Sequence, residues 1–229
     1  MQPFSFLSLC LFAVGVLGHI PHIDNGSHES LSTAWEFPET NKTRVLLVTF
    51  QCPSVVAYSK VTVNDLEEDP YLVIGVGIPN VTTVYDFRPS LWVIGANVTT
   101  PPGYQTDAER EQAGVPSGAS SAFLPEVPRG FNAVEFPTAS SDVFFHWAEE
   151  GGAVAGVGFI EANITLSGPG DVYFALQPSE NRLAKAYIAL GKVETAEPEP
   201  GSASEVDTEA WFTSVSYPKM GQRCVAWSA

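Results

Sequence analysis

Nine short runs of β-branched and aromatic residues constrain the fold of this chain more than any other feature. The runs are separated by turn-forming residues and cover 44–50, 55–63, 71–76, 91–94, 131–136, 143–147, 157–166, 171–176 and 184–190. No comparable run has the period of an amphipathic helix, and only 107–112 has a modest helical pattern. Many short strands with Gly and Pro turns are typical of a sandwich or a barrel, so we predict an all-β, antiparallel β-sandwich.

An uncharged apolar stretch at 4–18 predicts export. It is too short to cross a bilayer as a stable helix, and Val16 and Gly18 are the small residues that a signal peptidase accepts. It lacks the usual Lys or Arg before its apolar core, and a buried core strand or short helix is the alternative. We predict a signal peptide at 1–18 and a mature chain that begins at His19.

Five sequons for N-glycosylation follow this leader. Each has the Asn-x-Ser/Thr pattern without proline in the middle, and the acceptors are Asn25, Asn41, Asn80, Asn97 and Asn163. One such motif is a weak signal, but five behind an export signal support each other. We expect a secreted, extracellular glycoprotein of a eukaryote.

The chain is strongly acidic. Its 11 Lys and Arg residues face 26 Asp and Glu residues, which gives a formal net charge of −15. This balance disfavours nucleic acid and anionic lipid as partners. The acidic clusters are open to two interpretations, solvated loops or calcium ligands, although none has the spacing of an EF-hand loop; their members are Asp65, Glu67, Glu68, Asp69, Glu149 and Glu150.

Cysteine use agrees with export. Removal of the leader takes away Cys10 and leaves Cys52 and Cys224. One disulfide is the simplest arrangement for an even pair in an oxidising compartment. Two free thiols, or a mixed disulfide with another chain, are the alternatives.

Composition divides the chain further. We predict a flexible N-terminal segment at 19–33 and a sandwich domain at 34–193, with a long Pro/Gly-rich connection at 99–128. The acidic stretch 194–210 is rich in Glu, Pro and Ser, and such a composition predicts a tether. The apolar segment 211–229 would dock back through Cys224. Nothing in the mature chain predicts a membrane span or a lipid anchor.

Two segments of the chain resemble each other. Residues 73–78, followed by the sequon at Asn80, are echoed by 154–159, followed by the sequon at Asn163. One interpretation is a sandwich of two similar halves. The other is chance repetition in a Val- and Gly-rich β protein, since 93–99 echoes the pattern too.

Other segments point to known families. The stretch 81–95 contains D-F-x-P-x-L-x-x-I-G, from Asp86 to Gly95, and resembles a signature of uncharacterised exported proteins. The stretches 165–176 and 186–191 are similar to the closing strands of pre-peptidase-type jelly-roll domains. The resemblance implies a jelly-roll-like β-sandwich in an extracellular setting, and it carries no catalytic residue.

Common catalytic motifs are absent from the sequence. There is no G-x-S-x-G elbow, H-E-x-x-H, Walker loop or G-x-G-x-x-G. A Ser-His-Asp arrangement would depend chiefly on His146, because His19, His22 and His28 crowd the N-terminal segment. A hydrogen-bonded strand histidine is the competing interpretation of His146. We therefore assign no catalytic residue, and an enzyme is the less favoured class.

His19 raises one metal hypothesis. After cleavage its free α-amine and imidazole could chelate copper, with a second imidazole from His146, as in the histidine brace of lytic polysaccharide monooxygenases. No other motif of that family is evident, and a polar first residue explains His19 as well. We expect no cofactor.

The aromatic residues Tyr85, Phe87 and Trp92 allow a sugar-stacking platform or simple core packing. Taken together, these features predict an extracellular or cell-surface interaction module whose partner is a protein or a glycan. A carbohydrate-binding protein and a secreted enzyme, either copper-dependent and oxidative or hydrolytic, are the alternatives.

Overall fold

Two β-sheets pack face to face in the computed structural model. The structure describes residues 19–24, 26–52, 54–66, 71–99, 125–136, 145–148, 154–193, 199–213, 220–221 and 223–224. These residues form an all-β sandwich, and the predicted fold class is confirmed. The predicted helical pattern at 107–112 and most of the long connection lie outside the described residues.

The described strands are numbered in chain order. The larger sheet has the order β1 (Ile20–Ile23), β3 (Arg44–Phe50), β11 (Ala184–Leu190), β5 (Tyr71–Pro79), β9 (Ala155–Thr165) and β8 (Phe145–Ala148). The smaller sheet has the order β2 (Trp35–Phe37), β4 (Ala57–Val63), β10 (Gly170–Gln177), β6 (Ser90–Gly95) and β7 (Asn132–Phe136). All nine predicted runs contribute a strand.

The connections between these strands are those of a jelly roll. Strands β3, β11, β5 and β9 lie side by side in the larger sheet, and β4, β10, β6 and β7 do so in the smaller one. Of these eight, only β6 and β7 are consecutive within one sheet; every other step crosses to the opposite sheet. Such an alternation interlocks two Greek keys.

The core lies between the two sheets because alternate residues of each strand point inward. Six such side chains are no more than 2% exposed: Leu46, Val48, Ile74, Val93, Phe174 and Ile188. Each buried aliphatic or aromatic side chain of this size contributes about 1.5–3 kcal/mol. This burial orders the sandwich.

Strands β1 and β2 are additions that the sequence pattern did not predict. Strand β1 pairs in parallel with β3, and β2 pairs in parallel with β4, each at a sheet edge. They have four and three residues, too few to show a period, and β1 contains Pro21. Proline is tolerated at a sheet edge because its missing N–H removes no central ladder bond. Strand β1 therefore ties the N-terminal segment 19–33, which was expected to be flexible, to the larger sheet.

The two echoing segments belong to neighbouring strands of one sheet. Strands β5 and β9 pair antiparallel and place Gly77 opposite Gly158. The ring of Tyr187 lies against Gly77, where an added Cβ would overlap the tyrosine hydroxyl and the carbonyl oxygen of Val157. Both echoing segments thus contribute neighbouring strands to one sheet of a single sandwich.

Replacement of Gly77 by alanine is expected to destabilise the protein by about 1–3 kcal/mol, because the new methyl group overlaps fixed neighbours. Gly75→Ala is the matched control. There the nearest atoms to an added Cβ lie at 3.7 and 3.8 Å, so alanine should be neutral or slightly stabilising. Urea unfolding measures both; equal stability of the two variants would contradict the packing described here.

A short helix, α1 (Glu205–Thr213), covers the outer face of the larger sheet. Ser204 caps it: its hydroxyl accepts the Asp207 N–H at 3.1 Å and donates to the Asp207 carboxylate at 2.6 Å. Trp211 and Phe212 pack on Val45, Leu47 and Tyr187 and form a second apolar cluster. The residues 199–213 are called the strap below.

Lys185 lies buried beneath the strap. Its ammonium group donates to the carbonyl oxygen of Trp211 and lies 5.2 Å from the Trp211 ring centroid. Burial lowers the pKa of Lys185 to about 8. The strap therefore covers a polar group as well as an apolar face.

An ion pair holds the beginning of the strap. The buried guanidinium of Arg44 donates to both oxygens of Glu199, at 2.6 and 2.9 Å. His22 lies 3.2 Å from the same carboxylate and stacks on Trp35, with ring centroids 4.5 Å apart. The hydrogen bond from Arg44, and secondarily that with His22, lowers the pKa of Glu199.

The strap differs from the tether expected at 194–210. Composition predicts no order there because the segment is poor in apolar residues. The structure orders its second half through one charge pair at Glu199, a cap at Ser204 and two aromatic side chains just beyond it. Residues 194–198 lie outside the described residues.

Glu199→Gln is expected to lower the free energy of unfolding at pH 7 by about 2–3 kcal/mol, because it leaves the buried Arg44 charge with only the exposed carboxylate of Glu39, 3.9 Å away, as a counter-ion. The value is below that of a fully buried pair, since the Glu199 side chain is 20% exposed. Glu209→Gln, on the exposed side of α1, is the control and should change little.

The same pair predicts a pH dependence. A carboxyl pKa that is lowered on folding stabilises the protein above its unfolded pKa, and this contribution is lost as pH falls through the folded pKa. The difference between parent and Glu199→Gln should therefore shrink on acidification below about pH 4. A difference that stays constant from pH 7 to pH 3 would contradict this role.

Candidate functional site

The upper end of the sandwich is where β3, β5 and β10 end. Three pieces of chain meet there: the connection 80–89 after β5, the connection 178–183 after β10, and the described C-terminal residues 220–221 and 223–224. Gly221 donates its N–H to Leu183, and Cys224 donates to Asn181, both at 2.8 Å. The C-terminal residues thus extend the loops of the sandwich.

A disulfide joins Cys52 to Cys224 at this end, with a Cα–Cα distance of 5.4 Å. The predicted pairing is confirmed. Asn181 strengthens the junction: its side-chain oxygen accepts the N–H of Ser54 at 2.8 Å, and its carbonyl accepts that of Cys224. The β3–β4 connection and the C-terminal segment are therefore bound to the same loop.

Arg182 lies buried at the centre of these loops. Its Nη2 donates to Asp86 at 2.9 Å, its Nε lies 3.1 Å from Glu180, and its guanidinium lies 5.2 Å from the Phe87 ring centroid. Glu180 also lies 3.5 Å from the Arg223 guanidinium. The Arg182 hydrogen bond lowers the pKa of Asp86, so this carboxylate stays charged at neutral pH.

The upper loop surface, defined here as Tyr85, Asp86, Glu180 and Arg223, combines rigid support with exposed contact groups. Tyr85 is 40% exposed, and the side chains of Asp86 and Arg223 are 79% and 86% exposed. Tyrosine and arginine are enriched among the residues that dominate binding energy at protein interfaces. Carboxylate and guanidinium groups beside an aromatic ring can form directional hydrogen bonds and ion pairs with a partner.

The candidate copper ligands are separated in the structure. His19 immediately precedes β1, and His146 lies on β8, at the opposite edge of the larger sheet. Five strand spacings of about 4.8 Å place them roughly 24 Å apart across the sheet. Burial lowers the pKa of His19 to about 4. Across the described part of the chain, no three His, Cys, Asp or Glu side chains are grouped to hold a metal.

The other two histidines have local partners. His22 contacts Glu199, as described above, and His28 Nδ1 lies 2.6 Å from the carbonyl oxygen of Thr33. Strand β8 carries His146 at the register position opposite Val157. The side chain of His146 lies outside the described residues, so its predicted roles stay predictions.

The three candidate platform aromatics do not form one surface. Phe87 is fully buried between the sheets, and Trp92 is 2% exposed and donates its indole N–H to Gln177 at 2.6 Å. Only Tyr85 is exposed. Core packing is therefore the correct interpretation of Phe87 and Trp92.

Four of the five sequon asparagines can be placed. Asn41, Asn80 and Asn163 are exposed, whereas Asn97 is half-buried and its amide donates to the carbonyl oxygen of Pro169. Asn25 lies outside the described residues, as do Glu67, Glu68, Asp69, Glu149 and Glu150 of the acidic clusters. Asn41, Asn80 and Asn163 are therefore accessible to the glycosylation machinery.

One small cavity opens near the end of β3. It has a volume of about 110 Å³ and is lined in part by Asp24, Glu29, Thr49 and Gln51. Pockets for small ligands commonly measure about 300–1,000 Å³. This cavity suits a few water molecules rather than a sugar or a cofactor.

Sequence reasoning missed three buried cations that organise the molecule: Arg44, Arg182 and Lys185. Each lies within or next to an apolar strand pattern. Each has a main partner that is distant along the chain, Glu199, Asp86 and Trp211 respectively, so no local motif identifies these cations. The Ser204-x-x-Asp207 spacing, by contrast, is a helix-capping signal that could have predicted α1.

Comparison with known proteins leaves the family resemblance untested, because no protein-family model and no curated protein matches the chain. The D-F-x-P-x-L-x-x-I-G segment has a structural explanation of its own. Asp86 pairs with Arg182, Phe87 enters the core, and Ser90–Gly95 is strand β6. Among the described residues, no helix is both long and apolar enough to cross a membrane.

Asn97→Asp is expected to destabilise the unglycosylated protein by about 1–3 kcal/mol, because a carboxylate replaces the donor that satisfies Pro169. Asn80→Asp, at an exposed turn, should change the free energy of unfolding by less than about 0.5 kcal/mol. Urea denaturation of both variants, produced in an oxidising host that adds no glycans, measures the difference. Equal stabilities of the two variants would show that the Asn97 hydrogen bond makes no net contribution to the free energy of unfolding.

Proposed function

We propose that this protein is a secreted, N-glycosylated interaction module that recognises an extracellular or cell-surface protein through the upper loop surface. In this proposal the segment 1–18 directs export and is removed before His19. Asn25, Asn41, Asn80, Asn97 and Asn163 are the glycan acceptors. The exposed positions of three of these asparagines, together with the disulfide, support an extracellular location.

The single observation that carries the proposal is that a disulfide and a buried arginine fix the loops beneath the upper loop surface. Three loops are joined by the Cys52–Cys224 bridge and by the buried Arg182, while Tyr85, Asp86 and Arg223 remain exposed. A surface that is ordered before binding loses less conformational entropy when its partner arrives. Loops on a rigid β-scaffold commonly carry recognition.

Glycan binding is the second candidate, and Tyr85 supports it. A half-exposed aromatic ring can stack on the apolar side of a sugar, and neighbouring carboxylates can accept its hydroxyl groups. The exposed Asp86 carboxylate is the adjacent acceptor. One such ring is a smaller platform than the three aromatics that the sequence suggested.

The test is a binding survey on the glycosylated, secreted protein, using one array of secreted and cell-surface proteins and one of glycans. For the partner that it identifies, Tyr85→Ala and Arg223→Glu should each weaken binding at least about tenfold, which corresponds to 1.4 kcal/mol. Glu209→Ala, on the exposed side of α1, is the matched surface control. Unfolding temperatures check that all three variants remain folded.

The outcomes separate the candidates. A protein partner that is sensitive to Tyr85 and Arg223 supports the proposal, and a glycan ligand with that sensitivity supports the second candidate. Binding that neither substitution weakens would place recognition elsewhere on the molecule. No binding on either array would contradict both candidates.

A further inference from the structure

We infer that the strap is an intramolecular ligand of the larger sheet, held in place by the Cys52–Cys224 bridge, and that reduction of this bridge opens the face beneath it to an acidic, aromatic segment of a partner protein. This face shares no residue with the upper loop surface. The inference therefore does not rest on the function proposed above.

The covered face, defined here as Val45, Leu47, Lys185 and Tyr187, lies on the outer side of β3 and β11. Tyr187 is paired with Leu47 in the register of these two strands, so their side chains share one face of the sheet. All four residues are no more than 6% exposed. The face thus combines apolar side chains with one buried ammonium group.

The strap satisfies the cations of this region at both of its ends. At its beginning, Glu199 accepts a hydrogen bond from Arg44 at the lower corner of β3, at 2.6 Å. Near its end, the Trp211 carbonyl accepts from Lys185, and the Trp211 indole donates to the Thr49 hydroxyl at 3.1 Å. A carboxylate, an aromatic ring and an acceptor oxygen are therefore the groups that a ligand of this site brings.

Most of the strap helix faces away from the sandwich. Six of the nine residues of α1 are exposed, and only Thr208, Trp211 and Phe212 are buried. A helix of this length is marginal on its own in water. Helix α1 therefore depends on a few contacts with the covered face, which is how a docked peptide is held.

The bridge restrains the strap from its far end. Strand β11 ends at Leu190, before the strap, and Cys224 is held after it by the disulfide and by its hydrogen bond to Asn181. A segment that is fixed at both ends has fewer open conformations than one that is fixed at a single end. Cleavage of the bridge therefore shifts the strap toward release.

The bridge is accessible to a dithiol reductant, because Cys52 is exposed and Cys224 is half-buried. One thiolate of the reductant attacks a sulfur of the bridge, and the second thiol then displaces the mixed disulfide. Two electrons and two protons pass from the dithiol to the bridge. The products are thiols at Cys52 and Cys224 and a disulfide in the reductant.

The charges of the site identify the ligand that replaces the strap. Release of the strap uncovers the Arg44 guanidinium and the Lys185 ammonium group at either end of an apolar patch. Each cation needs a new partner once a ligand excludes water. The strap itself carries Glu205, Asp207 and Glu209 ahead of its aromatic pair. Charge complementarity therefore favours a partner segment of the same kind, with carboxylates followed by adjacent aromatic residues.

The first experiment follows the acylation of Lys185 by an amine-reactive ester, measured by peptide mass spectrometry on the secreted protein. Reduction with a dithiol is expected to accelerate this reaction at least about tenfold, because the strap no longer shields the amine. Lys60, on the smaller sheet, is the internal control and should react at an unchanged rate. A variant with both Cys52→Ser and Cys224→Ser should match the reduced parent without any reductant.

The second experiment measures docking by the fluorescence polarisation of a labelled synthetic peptide with the strap sequence 199–213. Its receptor is the full-length Trp211→Ala, Phe212→Ala variant, whose own strap lacks both aromatic anchors. The reduced variant is expected to bind the peptide at least about tenfold more tightly than the same variant with a closed bridge. A peptide that carries the same two substitutions is the matched control and should not bind. If the double variant is not secreted, Phe212→Ala alone replaces it.

Three results would overturn the inference. One is an unchanged acylation rate of Lys185 after reduction, and another is no binding of the parent peptide to the reduced variant. The third is a simultaneous loss of amide hydrogen-exchange protection throughout 72–78 and 184–190, which would show that the bridge stabilises the whole sandwich rather than the strap.

These readouts are independent of the binding survey. The survey uses the oxidised protein, and its variants at Tyr85 and Arg223 leave the covered face unchanged. Failure of the survey would therefore leave both experiments standing. A closed strap in the reduced protein would refute the inference alone.

Discussion

The burial of the Arg44 guanidinium is the constraint on which much of this structure depends. Arg44 begins β3, its side chain is 1% exposed, and a charge at such a place requires a partner. Glu199 supplies it from a distant part of the chain, and His22 joins it from β1. One electrostatic requirement thus brings the edge strand and the strap to the same corner of the sandwich.

The position of the strap determines what the larger sheet exposes. Once Glu199 is held, α1 lies over Tyr187, and Trp211 and Phe212 cover apolar residues of β3. Gly77 of β5 leaves room for the Tyr187 ring beneath this layer. A jelly roll with two layers therefore has a partial third layer on one side, built from a segment that is mostly polar.

The β-sandwich could be predicted from the sequence because its signal is local and repeated. Runs such as 44–50 and 184–190 coincide with whole strands, since β-branched residues, alternation and turn formers all agree there. The four-residue β1 and the nine-residue α1 could not be recognised in this way. Their order comes from Arg44, Leu47 and other residues far away in the chain, so tertiary contacts outweigh weak local preference.

The candidate surfaces were harder to predict than the fold, because they too depend on contacts between residues that are distant in the chain. The sequence identified Asn163 as an acceptor, Tyr85 as an exposed-ring candidate, and Cys52 with Cys224 as a pair. It could not show that Arg182 joins the connections 80–89 and 178–183, because its partner Asp86 is an ordinary surface residue in sequence.

The sequence separation of 172 residues between Cys52 and Cys224 also governs the order of events during synthesis. On the export route proposed above, Cys52 enters an oxidising compartment before its partner has been translated, and the described strands, the last of which ends at Leu190, emerge before Cys224 does. The thiol of Cys52 must therefore stay reduced, or be held by a temporary partner, while the two Greek keys assemble. Closure of the bridge then marks a completed fold, and on the proposed export route the absence of free thiols at Cys52 and Cys224 would distinguish finished molecules from unfinished ones.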